Sequence, residues 1–212
     1  MENKINVSSN PEIDRSTRSY FNDLAADWEK KQAIDDKKLL GLLSRLHFSG
    51  AKRIMDLGCG TGVLFPYLRR LADPNAQILA LDFAEHMIFE ADKRANSRIH
   101  LLCSDIHHLP VQKKSIDIII AFQVFPHVKN KDIALLQCWE ALRENGEFAI
   151  IHLQGSQQLN TFHASLNDAV AGHELPSAAE MKEMLQKHNF EIMHWMDEPE
   201  EYFVSGKKKV IR

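Results

Sequence analysis

The sequence has little cysteine and no long apolar run, and these two shortages exclude several classes of protein. The three cysteines, Cys59, Cys103 and Cys138, are scattered among 212 residues, so no disulfide framework is predicted. No apolar run approaches the length that spans a membrane, and the polar N-terminus lacks the pattern of a signal peptide. The sequence therefore predicts a cytoplasmic protein, in a reducing compartment, with no membrane partner.

The chain also lacks a strong excess of charge of either sign. Lys and Arg together number 26 and Asp and Glu number 29, which gives a net charge of −3. The one run of three basic residues, at 207–209, is short, whereas nucleic acid binding needs a concentrated basic face. We therefore predict no nucleic acid partner, and we expect the protein to be a monomer or a homodimer.

A glycine-rich stretch at residues 54–64 stands out from the rest of the sequence. Apolar residues lead to Asp56, and Gly58, Gly60 and Gly62 then alternate with other residues. Glycines at alternate positions let the backbone turn tightly and approach a ligand with its amides. The stretch predicts a strand, a ligand-binding turn and the start of a helix, which is where open α/β sheets bind their ligands.

Two further acidic residues follow apolar runs in the same way. Asp82 ends the run at residues 77–81 and lies about 20 residues beyond the glycines, a position that suits the two hydroxyls of a ribose. Asp105 follows the run at residues 99–104. Because proteins that bind nicotinamide or flavin nucleotides also carry glycine-rich turns, the glycines alone leave the identity of the ligand open.

Strands and helices alternate along the chain, which predicts an α/β fold with a doubly wound, mostly parallel sheet. The strongest strand is the continuous apolar run at residues 115–122, which suits a parallel strand covered on both faces. Helices are predicted at residues 35–46, 63–71, 84–94 and 131–143, with a strand at 147–152. A capping box at residues 177–180 predicts one more helix, followed by strands at 190–195 and 202–208.

The motif Asp-Leu-Gly-Cys-Gly-Thr-Gly at residues 56–62, with Asp82 and the pair Asp105 and Ile106, resembles the class I S-adenosylmethionine (SAM) dependent methyltransferases. The resemblance implies a Rossmann-like sheet of seven strands that ends in an antiparallel hairpin. The amphipathic helical pattern at residues 20–28 is similar to the N-terminal helix of the quinone-biosynthesis-like, small-molecule branch of that family. We therefore expect a helical N-terminal lid at residues 1–48 and a methyltransferase domain at residues 49–212.

The resemblance also implies which residues hold SAM as the cofactor. Asp56 would lie near the amino group of its methionine moiety, Asp82 would bind the ribose hydroxyls, and Asp105 would accept from the adenine amine. Phe83 and Met87 would flank the adenine ring. The full set that the resemblance implies is Tyr20, Asp56, Gly58, Gly60, Asp82, Phe83, Met87, Asp105, Ile106 and Phe122.

Three histidines are candidates for the substrate side of the site. His127 follows the fourth strand, His152 ends the fifth, and His163 lies in the segment expected to cover the same face. If they converge, one imidazole could be a catalytic general base for an acidic O–H, N–H or S–H group, because imidazole titrates near neutral pH. Alternatively, the three could bind a divalent metal that orients or deprotonates the substrate. His173 and the histidines after it are predicted to be structural.

The sequence thus predicts a SAM-dependent methyltransferase that acts on a small-molecule nucleophile, with or without metal assistance. The segment at residues 121–126 lacks the asparagine-proline-proline-aromatic motif of amino-directed methylation, which argues against adenine or glutamine as the substrate. Two alternatives stay open. One is a SAM-binding regulatory or sensing protein that transfers no methyl group, and the other is an NAD-dependent oxidoreductase on the same scaffold.

Overall fold

The computed structural model describes residues 11–31 and 34–209, and these residues build a seven-stranded sheet. The strands are β1 (Arg53–Leu57), β2 (Gln77–Asp82), β3 (Ile99–Cys103), β4 (Ile116–Phe122), β5 (Leu142–His152), β6 (Phe190–Glu198) and β7 (Glu201–Lys208). Their order across the sheet is β3-β2-β1-β4-β5-β7-β6. Strands β1 to β5 are parallel, and β7 is antiparallel to both of its neighbours. The predicted doubly wound sheet with a C-terminal antiparallel hairpin is confirmed.

Helices cover both faces of the sheet. They are α1 (Pro11–Leu24), α2 (Trp28–Lys31), α3 (Asp36–Leu43), α4 (Phe65–Leu71), α5 (Glu85–Asp92), α6 (Lys131–Ala141), α7 (Ser156–Ser165) and α8 (Ala178–Lys187), with short 3-10 turns at Ala25–Asp27 and Phe125–His127. Each helix within the described ranges is too short or too polar to cross a lipid bilayer.

Strand β4 lies at the centre of the sheet, between β1 and β5, because all of its side chains except that of Asp117 are apolar. All seven of its residues are buried. One face packs against α3 and α4 through residues such as Leu42 and Phe65. The other packs against α6 and α8 through residues such as Leu135 and Leu185. Each large apolar side chain buried in these layers stabilises the fold by about 2 kcal/mol. The packing of the two layers holds the strand ends in fixed positions.

Most of the predicted helices and strands are present, but several begin or end elsewhere. The fifth strand begins at Leu142 and not at residue 147, because Leu142 already pairs with Ile116 of β4, and helix α6 therefore ends early. Helices α3, α4 and α5 are shorter than predicted, since their end residues form turns. The predicted capping box is present: the Ser177 side chain accepts from the Glu180 N–H, and the Glu180 side chain accepts from the Ser177 N–H.

The N-terminal segment, residues 11–31, is helical as predicted and packs against α5. The Asn22 side chain donates to a Glu85 carboxylate oxygen and accepts from the His86 N–H, each at 2.9 Å. Phe21 and Ala25 are buried in a small apolar cluster that this segment shares with α5. Parts of the predicted lid, at residues 1–10 and 32–33, lie outside the described residues.

Candidate active site

The order of the strands reverses between β1 and β4, and a cleft opens at this point outside their carboxyl ends. It contains about 940 Å³ of empty space, part of it open to solvent. The turns after β1, β2, β3 and β4 all contribute to its wall, so the structure brings most of the predicted cofactor residues together. Those that line the cleft are Asp56, Gly58, Gly60, Asp82, Phe83, Met87, Asp105, Ile106 and Phe122.

The turn after β1 brings its backbone to the edge of the cleft. Gly58 has a φ of +72° and Gly60 a φ of +52°, which are left-handed conformations that favour glycine. A Cβ atom on Gly58 would lie 2.3 Å from the Val124 side chain, so a larger residue does not fit there without movement. A Cβ atom on Gly60 would meet the Trp28 indole nitrogen at 3.8 Å. The turn therefore presents backbone rather than side chains to the cleft.

Asp82 ties the glycine turn to the end of β2. One of its carboxylate oxygens accepts from the Gly60 N–H and the other from the Ala84 N–H, each at 2.9 Å. Burial raises the pKa of Asp82 to about 6, although these N–H donors act in the opposite direction. The Phe83 N–H also donates to this carboxylate, which has about four acceptor sites and can therefore still accept from a hydroxyl of a ligand.

Asp56 differs from Asp82, because both of its carboxylate oxygens lack a hydrogen-bond partner among the described residues. The residue is 1% exposed and lines the cleft. Burial, together with the negative charge of Asp82, raises the pKa of Asp56 to about 8. Because a buried polar group without a partner costs free energy, this carboxyl group favours a ligand that brings N–H donors and positive charge.

On the loop after β3, His107 holds Asp105 in place. The His107 Nδ1–H donates to Asp105 at 2.6 Å, and its backbone N–H donates to the same oxygen at 2.8 Å. The Asn130 N–H donates to His107 Nε2 at 3.2 Å, which is consistent with a proton on Nδ1. Burial by itself would raise the pKa of Asp105, but the hydrogen bonds from His107 outweigh it and lower the pKa. Asp105 therefore offers an ionised carboxylate to the cleft.

Two aromatic side chains of the N-terminal segment, Phe21 and Trp28, line the cleft. Tyr20, which the sequence analysis placed at the cofactor, lines an adjoining cavity instead, since neighbouring residues of a helix point about 100° apart. The Phe21 ring centre lies 5.0 Å from that of His127 and 6.1 Å from that of Phe83. These ring contacts place the N-terminal segment over the cleft.

The adjoining cavity contains about 1700 Å³ of empty space, part of it open to solvent. His127, His152 and His163 all line it, so the structure brings the three predicted histidines together. The residues that line both the cleft and this histidine-lined cavity are Phe21, Trp28, Gln123 and His127. Two molecules bound in the two spaces would therefore meet at this shared wall.

A fourth histidine, His173, joins the cluster, although the sequence analysis predicted it to be structural. Its Nδ1 atom lies 2.9 Å from Nδ1 of His127, and its backbone carbonyl oxygen accepts from His163 Nδ1–H at 2.6 Å. The ring centres of His127 and His163 are 5.3 Å apart. A single loop residue thus orients two of the imidazoles that line the cavity.

Burial keeps the inner imidazoles of this cluster uncharged. It lowers the pKa of His127 well below its usual range, and the charges of His163 and His173 lower it further. Burial, with a contribution from His163, lowers the pKa of His152 to about 3. Among residues 11–31 and 34–209, no three His, Cys, Asp or Glu side chains are arranged to hold a metal ion. The arrangement of side chains therefore gives no support to the metal hypothesis.

Gln123 is a further wall residue that the sequence analysis did not single out. It has a φ of +53°, which is unusual for a residue other than glycine, and its N–H donates to the Ile151 carbonyl oxygen at 2.9 Å. Backbone strain of this kind is concentrated at functional sites. The signal that could have identified Gln123 is its place directly after β4, at the edge where the other site residues lie.

Comparisons with known proteins agree with this geometry. A family model for the methyltransferase domain matches residues 48–204. The malonyl-[acyl-carrier protein] O-methyltransferase of Bacillus cereus is 31% identical over 154 residues, which cover 70% of this chain and 56% of that protein. The ubiquinone biosynthesis O-methyltransferase of Coxiella burnetii is 26% identical over 149 residues, which cover 66% of this chain and 62% of that protein. The chain thus spans less than two thirds of the length of these curated relatives.

Solved structures show the same fold at low sequence identity. A SAM-dependent methyltransferase from Aquifex aeolicus is 16% identical with a TM-score of 0.68, and the match covers 90% of this chain and 98% of that chain. A chain from the complex of the Haloferax volcanii Trm112 methyltransferase activator with a methyltransferase is also 16% identical, with a TM-score of 0.75 and the same coverage. Because the family model covers most of the sequence, the chain belongs to the class I SAM-dependent methyltransferases.

Proposed function

We propose that this protein transfers a methyl group from SAM to a small-molecule nucleophile, and that oxygen is the atom that receives it. The observation that carries the proposal is the shared wall between the cleft with the glycine turn and the histidine-lined cavity. Transfer between two bound molecules needs such an arrangement, because the reacting atoms must come within about 3.5 Å of each other. The names of the two curated relatives, both O-methyltransferases, favour oxygen as the acceptor.

The residues of the cleft fit SAM in charge and in hydrogen-bonding capacity. The unpartnered, buried carboxyl group of Asp56 matches the ammonium of the methionine moiety. Gly58 and Gly60 allow the backbone to approach that moiety, and the free lone pairs of Asp82 match the ribose hydroxyls. The adenine would bind next to Asp105, with the remaining contacts from Phe83, Met87, Ile106 and Phe122.

The N-terminal segment would cover the bound cofactor. Phe21 and Trp28 line the cleft, and Phe21 also contacts His127 at the shared wall. When bound, SAM supplies a methyl group that its sulfonium charge already activates. The protein then has to orient the acceptor and exclude water. The aromatic side chains of the N-terminal segment would exclude water from the cleft.

On the acceptor side, we propose that His127, His152 and His163 bind and orient the molecule to be methylated. Metal assistance is not part of this proposal. His127 and His163 each use Nδ1 in a hydrogen bond to His173, and the described residues contain no group of three metal-binding side chains. An imidazole ring has polar nitrogens on an aromatic body, so these side chains can hydrogen-bond to a polar group of the acceptor molecule and orient it.

Calorimetric titration with S-adenosylhomocysteine, the demethylated form of the cofactor, tests the first half of the proposal. We expect one molecule to bind per chain and NAD not to bind. Binding of NAD without binding of S-adenosylhomocysteine would instead favour the oxidoreductase that the sequence left open.

Transfer of a radiolabelled methyl group from SAM to a panel of hydroxylated small molecules tests the second half of the proposal. Tight cofactor binding with no transfer to any of them would favour a sensing protein.

A further inference from the structure

The histidine-lined cavity has a wall that indicates what kind of molecule it takes. Apolar and aromatic side chains form more than half of the residues that line it. They include Leu24, Leu153, Leu159, Phe162 and Leu166. Such a wall suits a ligand with an aromatic or aliphatic body, which leaves a few polar groups to fix the ligand's orientation.

His152 is a polar group of the cavity with an unmet hydrogen bond. The residue is 3% exposed, and its Nε2 atom has no partner among the described residues. A buried imidazole nitrogen without a partner costs free energy, as any unpaired polar atom does. Because His152 lines the cavity, a shift of its ring would bring this buried nitrogen to a polar group of a bound molecule.

A hydrogen bond of the neighbouring imidazole His163 shows that the cluster offers an acceptor. A carbonyl oxygen can only accept, so the 2.6 Å contact from His163 to the His173 carbonyl requires a proton on His163 Nδ1. In the neutral ring, Nε2 of His163 is then an acceptor. In the 2.9 Å contact between Nδ1 of His127 and Nδ1 of His173, one nitrogen donates and the other accepts. Nε2 of His163 therefore favours a ligand that brings a hydrogen-bond donor.

The same cavity offers little to bind an anion. Lys38 is the one lysine or arginine among its described lining residues. Its ammonium already lies 3.4 Å from the Leu153 carbonyl oxygen and 3.8 Å from a Glu200 carboxylate oxygen. Asp35 and Asp168 add negative charge to the wall. A carboxylate ligand would therefore find no free counter-charge on these residues.

His127 and His152 do not supply that counter-charge either. Burial lowers the pKa of His127 and of His152, so both rings are neutral near pH 7. A carboxylate beside them would be a buried, unpaired charge, which is costly. A protonated amine is also disfavoured next to His127 and His152, because these neutral rings carry no negative charge to pair with it, while Asp35 and Asp168 already accept from backbone N–H groups.

We infer that the molecule to be methylated is an apolar compound that presents an uncharged hydroxyl group to His127, His152 and His163. A hydroxyl donates to an imidazole nitrogen and brings no charge into the cavity. The inference rests on the proposed function, because it takes the histidine-lined cavity to be the acceptor site. Carboxylic acids and amines are the rival classes of molecule for this cavity.

Three probes of similar size and shape test this inference: 4-hexylphenol, 4-hexylbenzoate and 4-hexylbenzylamine. Each is titrated by calorimetry at neutral pH into wild-type protein saturated with S-adenosylhomocysteine. We expect the phenol to bind about tenfold or more tightly than either charged probe, because burying an unpaired charge costs at least that much. Equal or tighter binding of a charged probe, or no binding of the phenol, would overturn the inference. Failure of S-adenosylhomocysteine itself to bind would instead overturn the proposed function.

His152→Phe provides a matched variant, because it removes the unpartnered Nε2 and keeps an aromatic ring. We expect the phenol to bind about fivefold or more weakly to this variant, with the affinity for S-adenosylhomocysteine unchanged. The control is His100→Phe on the exposed edge strand β3, which should alter neither affinity. Unchanged phenol binding in a His152→Phe protein that still binds S-adenosylhomocysteine would contradict the inference. If that variant does not fold, the comparison of probes on the wild-type protein decides alone.

Discussion

Replacing Asp56 by asparagine should weaken cofactor binding at least tenfold and at the same time stabilise the free protein. Asparagine has nearly the same size as aspartate, so the buried position at the end of β1 stays filled while the ionisable group is removed. The carboxyl group has a pKa of about 8 in the folded protein, against about 4 in an unfolded chain. Between these pH values the folded state holds a proton that the unfolded chain has released.

It follows that the wild type loses stability as the pH rises from about 4 to about 8, whereas the asparagine variant has no such loss at this position. One pKa unit corresponds to about 1.4 kcal/mol, so between pH 5 and pH 8 the variant should gain on the order of 3 kcal/mol over the wild type. Asp82 titrates in part of the same range but is present in both proteins. The difference between the two proteins therefore reports mainly on Asp56.

Urea-induced unfolding of both proteins at pH 5 and pH 8 measures this difference, and titration with S-adenosylhomocysteine at pH 8 measures binding. We expect affinity to fall at least tenfold, because the ammonium of the ligand loses a charged partner. Two results would refute the reasoning: a stability difference that does not grow with pH, or an affinity equal to that of the wild type.

Three further substitutions test other parts of the cleft. Gly58→Ala places a methyl group 2.3 Å from a valine side-chain atom and should reduce S-adenosylhomocysteine affinity at least tenfold. The control is Gly50→Ala, at a similar φ but in open space, which should cost only about 1–2 kcal/mol of stability and leave that affinity unchanged. Asp82→Ala should weaken S-adenosylhomocysteine binding by a similar factor, since it removes the proposed ribose partner and the acceptor of the Gly60 N–H; wild-type affinity would contradict this role. Phe21→Ala should speed dissociation of S-adenosylhomocysteine in stopped-flow measurements, and an unchanged rate would show that this ring does not cover the cofactor.

The lining of the cleft could be predicted because its residues follow directly from the order of strands along the chain. Asp56, Asp82 and Asp105 each lie within two residues of the end of a parallel strand, and parallel strands end at the same edge of a sheet. The histidine cluster depends in part on a loop. His173 lies 46 residues from His127 in the chain, and no periodic pattern relates the two positions. The sequence therefore offered no reason to pair them.

In the N-terminal segment, the sequence pattern did not indicate which aromatic side chain lines the cleft. The spacing of its apolar residues indicated correctly that one face is buried, but it did not distinguish between the neighbouring aromatic residues Tyr20 and Phe21. That choice depends on how the helix is placed on α5, which the hydrogen bonds of Asn22 determine. A rotation of about 100° separates the two side chains, so the rotation of the helix about its own axis decides which of them lines the cleft.

The most direct test of the proposed function is a crystal structure of the protein with S-adenosylhomocysteine bound. We expect the ligand's ammonium next to Asp56, its ribose hydroxyls next to Asp82 and its adenine beside Phe83. We also expect the sulfur to face the shared wall at His127, next to the histidine-lined cavity. A ligand bound elsewhere, or one whose sulfur is separated from that cavity, would contradict the proposed function.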